Sequence, residues 1–310
     1  MTSSNRWLAW RMAPLAWLVA LLPSVALAAG ATAPADLTSR NIIVIDAPTG
    51  VELLGKAADE VRPIASTTKI FVALAVRRKG IDLDGWTQIT QDDVELAKGG
   101  ARTRLDRGQT FRNRDLLRAM LMASDNRAPS ALGRAVGLDA AGLVEEMNAV
   151  AKDLHLNKTR FTDPSGLRGN VSTARELALA LRAALEDDEL RAIFGAEEVE
   201  VMSKSKFAKL RYRTTNVPLL DKTHQVTGGK TGYTRAAGYC FVSGAHLHGR
   251  EVVVAVLGGK SKADRFADFD RALRWLARSS PATRTGARRA AERKPTLRVE
   301  ASGSLPAPRR

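Results

Sequence analysis

Ala65-Ser66-Thr67-Thr68-Lys69-Ile70-Phe71-Val72-Ala73-Leu74-Ala75 is the stretch from which the rest of the chain can be read. The apolar residues Ile70, Phe71, Val72, Leu74 and Ala75 predict a helix over 65–77, which sets Ser66 and Lys69 on one face with the amine in reach of the hydroxyl. A serine hydroxyl is a weak nucleophile until a neighbouring base takes its proton, and no histidine lies near Ser66 in sequence. Lys69 is therefore the candidate base. An ammonium of ordinary pKa is protonated at pH 7, so this role requires burial or a second cation, for which Lys230 is the candidate. A helix N-terminus beneath Ser66 favours a developing oxyanion, and the Ser66 backbone N–H would form half of an oxyanion hole.

Two further words complete the chemistry. Ser124-Asp125-Asn126 offers a hydroxyl that can pass a proton to a leaving amine and an amide that can grip a peptide bond by donating and accepting. Lys230-Thr231-Gly232 offers a cation and a hydroxyl donor for a substrate carboxylate. Any one of these words is common by chance; all three, in this order and at domain-sized gaps, resemble the set found in active-site serine penicillin-binding proteins and class A β-lactamases, and that resemblance implies acyl transfer through a serine.

The chain opens with Arg6 and Arg11, an apolar run over 12–22 and Ala26-Leu27-Ala28, which reads as a signal peptide over 1–28 with cleavage before Ala29. The apolar run is short for a spanning helix, so cleavage is favoured over a retained anchor. Residues 29–40 read as a linker, 41–278 as one catalytic domain and 279–310 as a basic tail. That tail carries eight basic residues against Glu292 and Glu300, a large part of the formal net charge of +15, with hardly an apolar residue to bury, so disorder is expected. An exported basic protein meets anionic lipid or anionic wall polymer, and the tail is a candidate electrostatic contact to either. Nucleic acid is disfavoured by the signal peptide and by an aromatic content of 5%, too sparse for basic and aromatic residues to interleave. A single cysteine, Cys240, in a strand-like apolar stretch excludes an intrachain disulfide and reads as a small buried hydrophobe.

Between the flanks, 41–47 and 51–54 read as strands joined by Pro48-Thr49-Gly50. The middle is helical, with periodic runs over 115–122, 128–136 and 140–154 and a helix to Leu185 opened by the N-cap candidates Ser172 and Thr173. After Gly228-Gly229 come strands over 230–233, 238–245 and 251–257, the last two joined at His248-Gly249-Arg250, and then an amphipathic helix over 263–276. Strands at both ends imply an α/β (α+β) fold whose central sheet is assembled from distant segments and flanked by helices.

The segments Lys98-Gly99-Gly100-Ala101-Arg102-Thr103-Arg104-Leu105, Met147-Asn148-Ala149, Asn157-Lys158-Thr159-Arg160-Phe161, Asp163-Pro164-Ser165-Gly166-Leu167, Val171-Ser172-Thr173-Ala174-Arg175 and Arg213-Thr214-Thr215-Asn216 carry a wider resemblance. With the three words, they make residues 40–278 similar to the D-alanyl-D-alanine endopeptidases, low-molecular-mass penicillin-binding proteins of peptidase family S11, which also holds the D,D-carboxypeptidases. The resemblance implies a penicillin-binding transpeptidase/β-lactamase-like fold, a central antiparallel sheet with an all-helical subdomain. It further implies that Ser66 is acylated by a D-Ala-terminated stem peptide with Lys69 as base, that Ser124 and Asn126 form a second wall, and that Lys230, Thr231 and Gly232 form a third. Tyr233 would supply the second oxyanion N–H, and Arg265, ahead of Trp275, is similar to a carboxylate-binding arginine. The implied partners are peptidoglycan stem peptides and cross-links, with β-lactams as inhibitors, in the periplasm.

Two departures refine this. The carboxypeptidase branch usually adds a β-rich second domain and an amphipathic anchor, whereas the tail here is too short for an independent core, which favours endopeptidase over carboxypeptidase action. Glu145 and Asn148 stand three residues apart instead of the four separating the deacylating glutamate of class A β-lactamases from its asparagine, so lactamase activity is not expected. A slow-turnover penicillin- and wall-binding protein is the other reading, and the intact Ser66, Lys69 and Lys230 oppose it. No cofactor is called for. His246 and His248 could share a strand face as metal ligands but lack a third partner, so they, His155 and His224 read as surface turn residues.

Overall fold

The structure is a computed structural model that describes residues 34–279, apart from residue 102 and residues 205–208. The signal peptide read over 1–28 and the basic tail after residue 279 lie outside the described residues. A hairpin of β1 (Asn41–Asp46) and β2 (Glu52–Lys56) turns at the expected place. The short β3 (Arg62–Pro63) leads into a 3-10 turn, Ala65–Thr68, that runs directly into α1 (Lys69–Arg78). Then come β4 (Trp86–Gln88), α2 (Gln91–Leu96), β5 (Thr110–Arg112), α3 (Asn113–Ala123), α4 (Ala128–Ala135) and α5 (Ala140–Asp153). β6 (Val171–Ser172) pairs with β3 and precedes α6 (Ala174–Glu186), α7 (Asp188–Phe194) and a hairpin of β7 (Glu198–Met202) and β8 (Lys209–Arg213). After α8 (Val217–Asp221), three long strands, β9 (Gln225–Thr234), β10 (Gly238–Leu247) and β11 (Arg250–Gly259), lead to α9 (Lys262–Ser279).

The central sheet is antiparallel in the order β2-β1-β11-β10-β9, so the N-terminal hairpin closes onto the C-terminal strands, as strands at both ends of the chain predict. Side-chain alternation along β1 and β11 splits the core in two. Ile43, Ile45, Val253, Ala255 and Leu257 join the cluster that includes α1 and α6, while Ile42, Val44, Val254 and Val256 meet Phe269, Leu273 and Leu276 of α9. Because both faces are covered, these strands read as continuous apolar runs. The buried α1 carries apolar residues on every side and packs against α3, α4, α5 and α6, which fixes the residues at its start. Thr173 accepts the Glu176 N–H at 3.0 Å and caps α6, as expected.

Several expectations are corrected. The helix over 65–77 opens as a 3-10 turn, with Ala65 at φ 50°. β9 starts at Gln225, because Gly228 and Gly229 lie inside the strand and do not end a loop before it. A Cβ on Gly228 would meet Phe194 C at 2.5 Å and one on Gly229 would meet Val242 O at 2.1 Å, so both positions are glycine for close packing. The end of the linker read over 29–40 is pinned: Thr38 and Ser39 donate to the buried Asp268, and Lys56 Nζ donates to Leu37 O and Ser39 O. His224 is not a surface turn residue but pairs with Asp270 at 2.9 Å, edge-on to Phe269, and ties the start of β9 to α9.

Candidate active site

The 3-10 turn holds Ser66 between two glycines. On one side Gly166, at φ 84°, comes so close that a Cβ would lie 2.0 Å from Ala65 O. On the other, a Cβ on Gly232 of β9 would lie 3.0 Å from Ser66 N and 2.9 Å from Ile64 O. The third word of the sequence is thereby pressed onto the first, with a bare backbone at each contact.

Lys69, fully buried as the first residue of α1, extends its Nζ to Ser66 Oγ at 2.9 Å, Asn126 Oδ1 at 2.7 Å and the Ser165 carbonyl at 2.8 Å. A charged amine donates to all three. A neutral one donates to Asn126 and Ser165 and leaves a lone pair facing the Ser66 hydroxyl. Burial lowers the Lys69 pKa to about 7, with the charges of Asp163 and Asp125 opposing, so both forms are populated near neutrality. Of the two routes the sequence allowed, burial is the one that lowers this amine.

Lys230 is also fully buried and donates to Thr231 O at 2.8 Å. Burial, then the charges of Lys69 and Arg265, hold it well below the usual lysine range. The influence expected of Lys230 on Lys69 therefore registers in the reverse direction. Thr231 shares a 2.7 Å hydrogen bond with the Thr215 hydroxyl, which also donates to Met122 O at 3.3 Å, so one threonine joins the β9 wall to the end of α3.

Ser124 ends α3 in a left-handed conformation, φ 64°, an uncommon state for a residue with a Cβ. Asp125 holds the turn that follows by accepting the backbone N–H groups of Arg104 at 2.9 Å and Arg127 at 3.0 Å. Asn126 is thus aimed at Lys69, with its amide nitrogen toward Gly100, where a Cβ would come within 2.2 Å. Tyr233, 54% exposed, stacks on Tyr239 with ring centroids 4.3 Å apart.

Arg265, which the resemblance makes similar to a carboxylate-binding arginine, has its guanidinium against the backbone of β9 and β10. It is buried in the first turns of α9, donates to Gly232 O at 3.1 Å and Cys240 O at 3.3 Å, and lies over the rings of Phe266 and Tyr239. This is a strand-holding position directly behind Gly232. Sequence reasoning gave no individual role to Ser165, Gly166, Gly100 or Thr215, although each lies in a segment that carried the resemblance. Asp163-Pro164-Ser165-Gly166 is a turn signature that could have singled out the first two. His246 pairs with Glu251 at 3.6 Å and His248 sits in the β10–β11 turn. Among the described residues no cluster of three His, Cys, Asp or Glu could hold a metal ion.

The family model described as D-alanyl-D-alanine carboxypeptidase, peptidase S11, matches residues 28–261. The chain is 33% identical over 249 residues to a D-alanyl-D-alanine endopeptidase of Pseudomonas aeruginosa, covering 80% of each. It is 30% identical over 243 residues to one of Escherichia coli, covering 78% of each. The crystal structure of the Streptomyces K15 DD-transpeptidase superposes with a TM-score of 0.74 at 25% identity, over 79% of this chain and 98% of that one. The chain belongs to peptidase family S11 and is a serine hydrolase with the DD-transpeptidase fold.

Proposed function

We propose that the protein is an exported D,D-endopeptidase that opens D-Ala-containing cross-links of peptidoglycan, with some D,D-carboxypeptidase action on terminal D-Ala-D-Ala. The observation that carries this reading is the Lys69 amine, 2.9 Å from Ser66 Oγ in a site dry enough to bring its pKa to about 7. Neutral Lys69 takes the Ser66 proton while Oγ attacks the D-alanyl carbonyl, and the backbone N–H groups of Ser66 and Tyr233 stabilise the oxyanion. Ser124 relays the proton taken up by Lys69 to the departing amine as the C–N bond breaks, which returns Lys69 to its neutral form and leaves an ester on Ser66 that water then hydrolyses. β9 is a sheet edge, so an extended stem peptide can add alongside it, gripped by Asn126 and Thr231. Lys230 binds the substrate carboxylate. Its burial disfavours a lone cation, and an arriving anion restores the proton, so capture of the carboxylate and protonation of Lys230 occur together.

The endopeptidase preference is supported by the Pseudomonas aeruginosa and Escherichia coli endopeptidases, each aligned over most of its length. Export rests on the leader sequence, and among the described residues no helix is long and apolar enough to cross a membrane. Labelling with a fluorescent penicillin, followed by peptide mapping, is expected to find the adduct on Ser66 and to lose it in Ser66→Ala. Digestion of purified dimeric muropeptides is expected to yield monomers before free D-alanine. An adduct on Ser124 would overturn the assignment of roles. Free D-alanine first would make the protein chiefly a carboxypeptidase, and a persistent adduct with no digestion would make it a wall-binding protein.

A further inference from the structure

Residues 161–170 form a loop folded around one buried carboxylate. Asp163 Oδ2 accepts from Ser165 N at 3.1 Å, Ser165 Oγ at 2.5 Å and Leu167 N at 3.2 Å, and Oδ1 accepts from Arg168 N at 3.1 Å. Asn170 closes the loop from the other side, accepting from Thr162 N and Asp163 N and donating to Asp163 O at 2.8 Å. It also donates to Thr68 Oγ1 at 3.1 Å, which ties the loop to the turn that carries Ser66. The loop delivers two things to the site: the Ser165 carbonyl, 2.8 Å from Lys69 Nζ, and the bare backbone of Gly166 against Ala65. Among the described residues no basic side chain forms an ion pair with Asp163, and the donors to its carboxylate are backbone N–H groups and the Ser165 hydroxyl.

We propose that Asp163 is the positioning residue of the acylation step: its carboxylate shapes the loop that holds the Ser165 carbonyl on Lys69 and keeps a negative charge beside that amine. The proposal rests on the reading of Lys69 as the base. The charged groups facing Lys69 are Asp163 from this loop, Asp125 from the turn after α3 and Lys230 from β9, with Ser66 and Asn126 as neutral partners. Desolvation alone would drive the amine toward a permanently neutral, weakly basic state. The two carboxylates pull it back, Asp163 more than Asp125, toward the neutral pH at which a general base is most effective.

The test is the pH profile, from 5 to 9, of the acylation rate of the full chain by a fluorescent penicillin. In the wild type the rate should rise with pH through about 7 as Lys69 deprotonates. Asp163→Asn keeps the size and removes the charge. Its acid limb should move to lower pH by on the order of one unit, while the plateau falls about tenfold as the carbonyl loses its place. Asp163→Glu and Ser165→Ala both disturb the loop but keep a carboxylate, so both should lower the plateau with the limb near its wild-type position. These two carry the test if Asp163→Asn does not fold. A limb unmoved in Asp163→Asn, or moved as far down in Ser165→Ala or Asp163→Glu, would overturn the proposal and leave the loop a merely structural one. Failure of the underlying reading looks different: a wild-type profile without an acid limb, or one that survives in Lys69→Ala, would remove Lys69 as the base.

Discussion

Lys69 is a strongly hydrated residue type set where water does not reach, and the same burial that readies it as a base burdens the fold. Its pKa falls from the usual 10.5 to about 7 on folding. Between those values the unfolded chain binds one more proton at this position than the folded chain, so the free energy of unfolding rises with pH across that window and the associated stability is lost as pH falls. Lys69→Met lacks this contribution; Lys230, lowered in the same direction, keeps one that is smaller once the charge of Lys69 is gone, so the difference between the two chains keeps its sign. The melting temperature of the wild type should therefore gain on that of Lys69→Met as pH goes from 7 to 9, followed by circular dichroism. Cys240, pushed up to about 11 by burial, and the raised Tyr212 act in the opposite direction, but they are common to both chains and cancel in the difference. A gap that stays constant across this range would mean that the amine keeps its ordinary pKa in the fold. Ser124 belongs to the same pattern, since its left-handed backbone is strain kept at a functional turn.

At the scale of elements, the site depends on how near β9 comes to the 3-10 turn. In Gly232→Ala the new methyl would press on Ser66 N, Ile64 O and Thr67 N, all backbone atoms that cannot swing aside, so strand and turn must separate by a few tenths of an ångström. Acylation should fall roughly a hundredfold while the sheet, paired along the whole of β10, stays folded. An acylation rate within twofold of wild type would mean that the approach is not needed. The elements carrying strong helical periodicity or a long apolar run were legible in advance: β1, α5, α6, β10 and β11 lie within a few residues of their expected bounds. The start of β9 was not, because a Gly-Gly pair looks like a loop until Phe194 and Val242 are seen pressing on it. The β7–β8 hairpin was overlooked although Glu198-Val199-Glu200-Val201 and Lys209-Leu210-Arg211-Tyr212 alternate with period two. Ser66, Lys69 and Asn126 were legible because their side chains meet directly. The Ser165 carbonyl was not, since a backbone group carries no letter of its own and only the folded loop brings it to the amine. Arg265 was found by position, but sequence does not tell that its guanidinium also donates to the carbonyls of Gly232 and Cys240.

At the scale of the molecule, we propose that catalysis and location separate along the chain. The candidate site residues lie between Ser66 and Arg265, and among the described residues Leu276 of α9 is the last member of the core. Residues 280–310 hold eight basic residues against two acidic ones, enough for an electrostatic tether to anionic lipid or wall polymer. Each basic group near an anionic surface contributes about 1 kcal/mol, an attraction screened beyond roughly 8 Å at physiological salt. Removing residues 280–310 should therefore leave turnover of soluble cross-linked peptide unchanged. The same truncation should weaken co-sedimentation with sacculi and with vesicles containing anionic lipid, most clearly at low salt, and the loss should shrink as salt is raised. Equal, salt-insensitive binding by both forms would remove the tether. Lost turnover on the soluble peptide would instead mean that these residues act on the site itself, and that the body ending at α9 is not the whole of the catalyst.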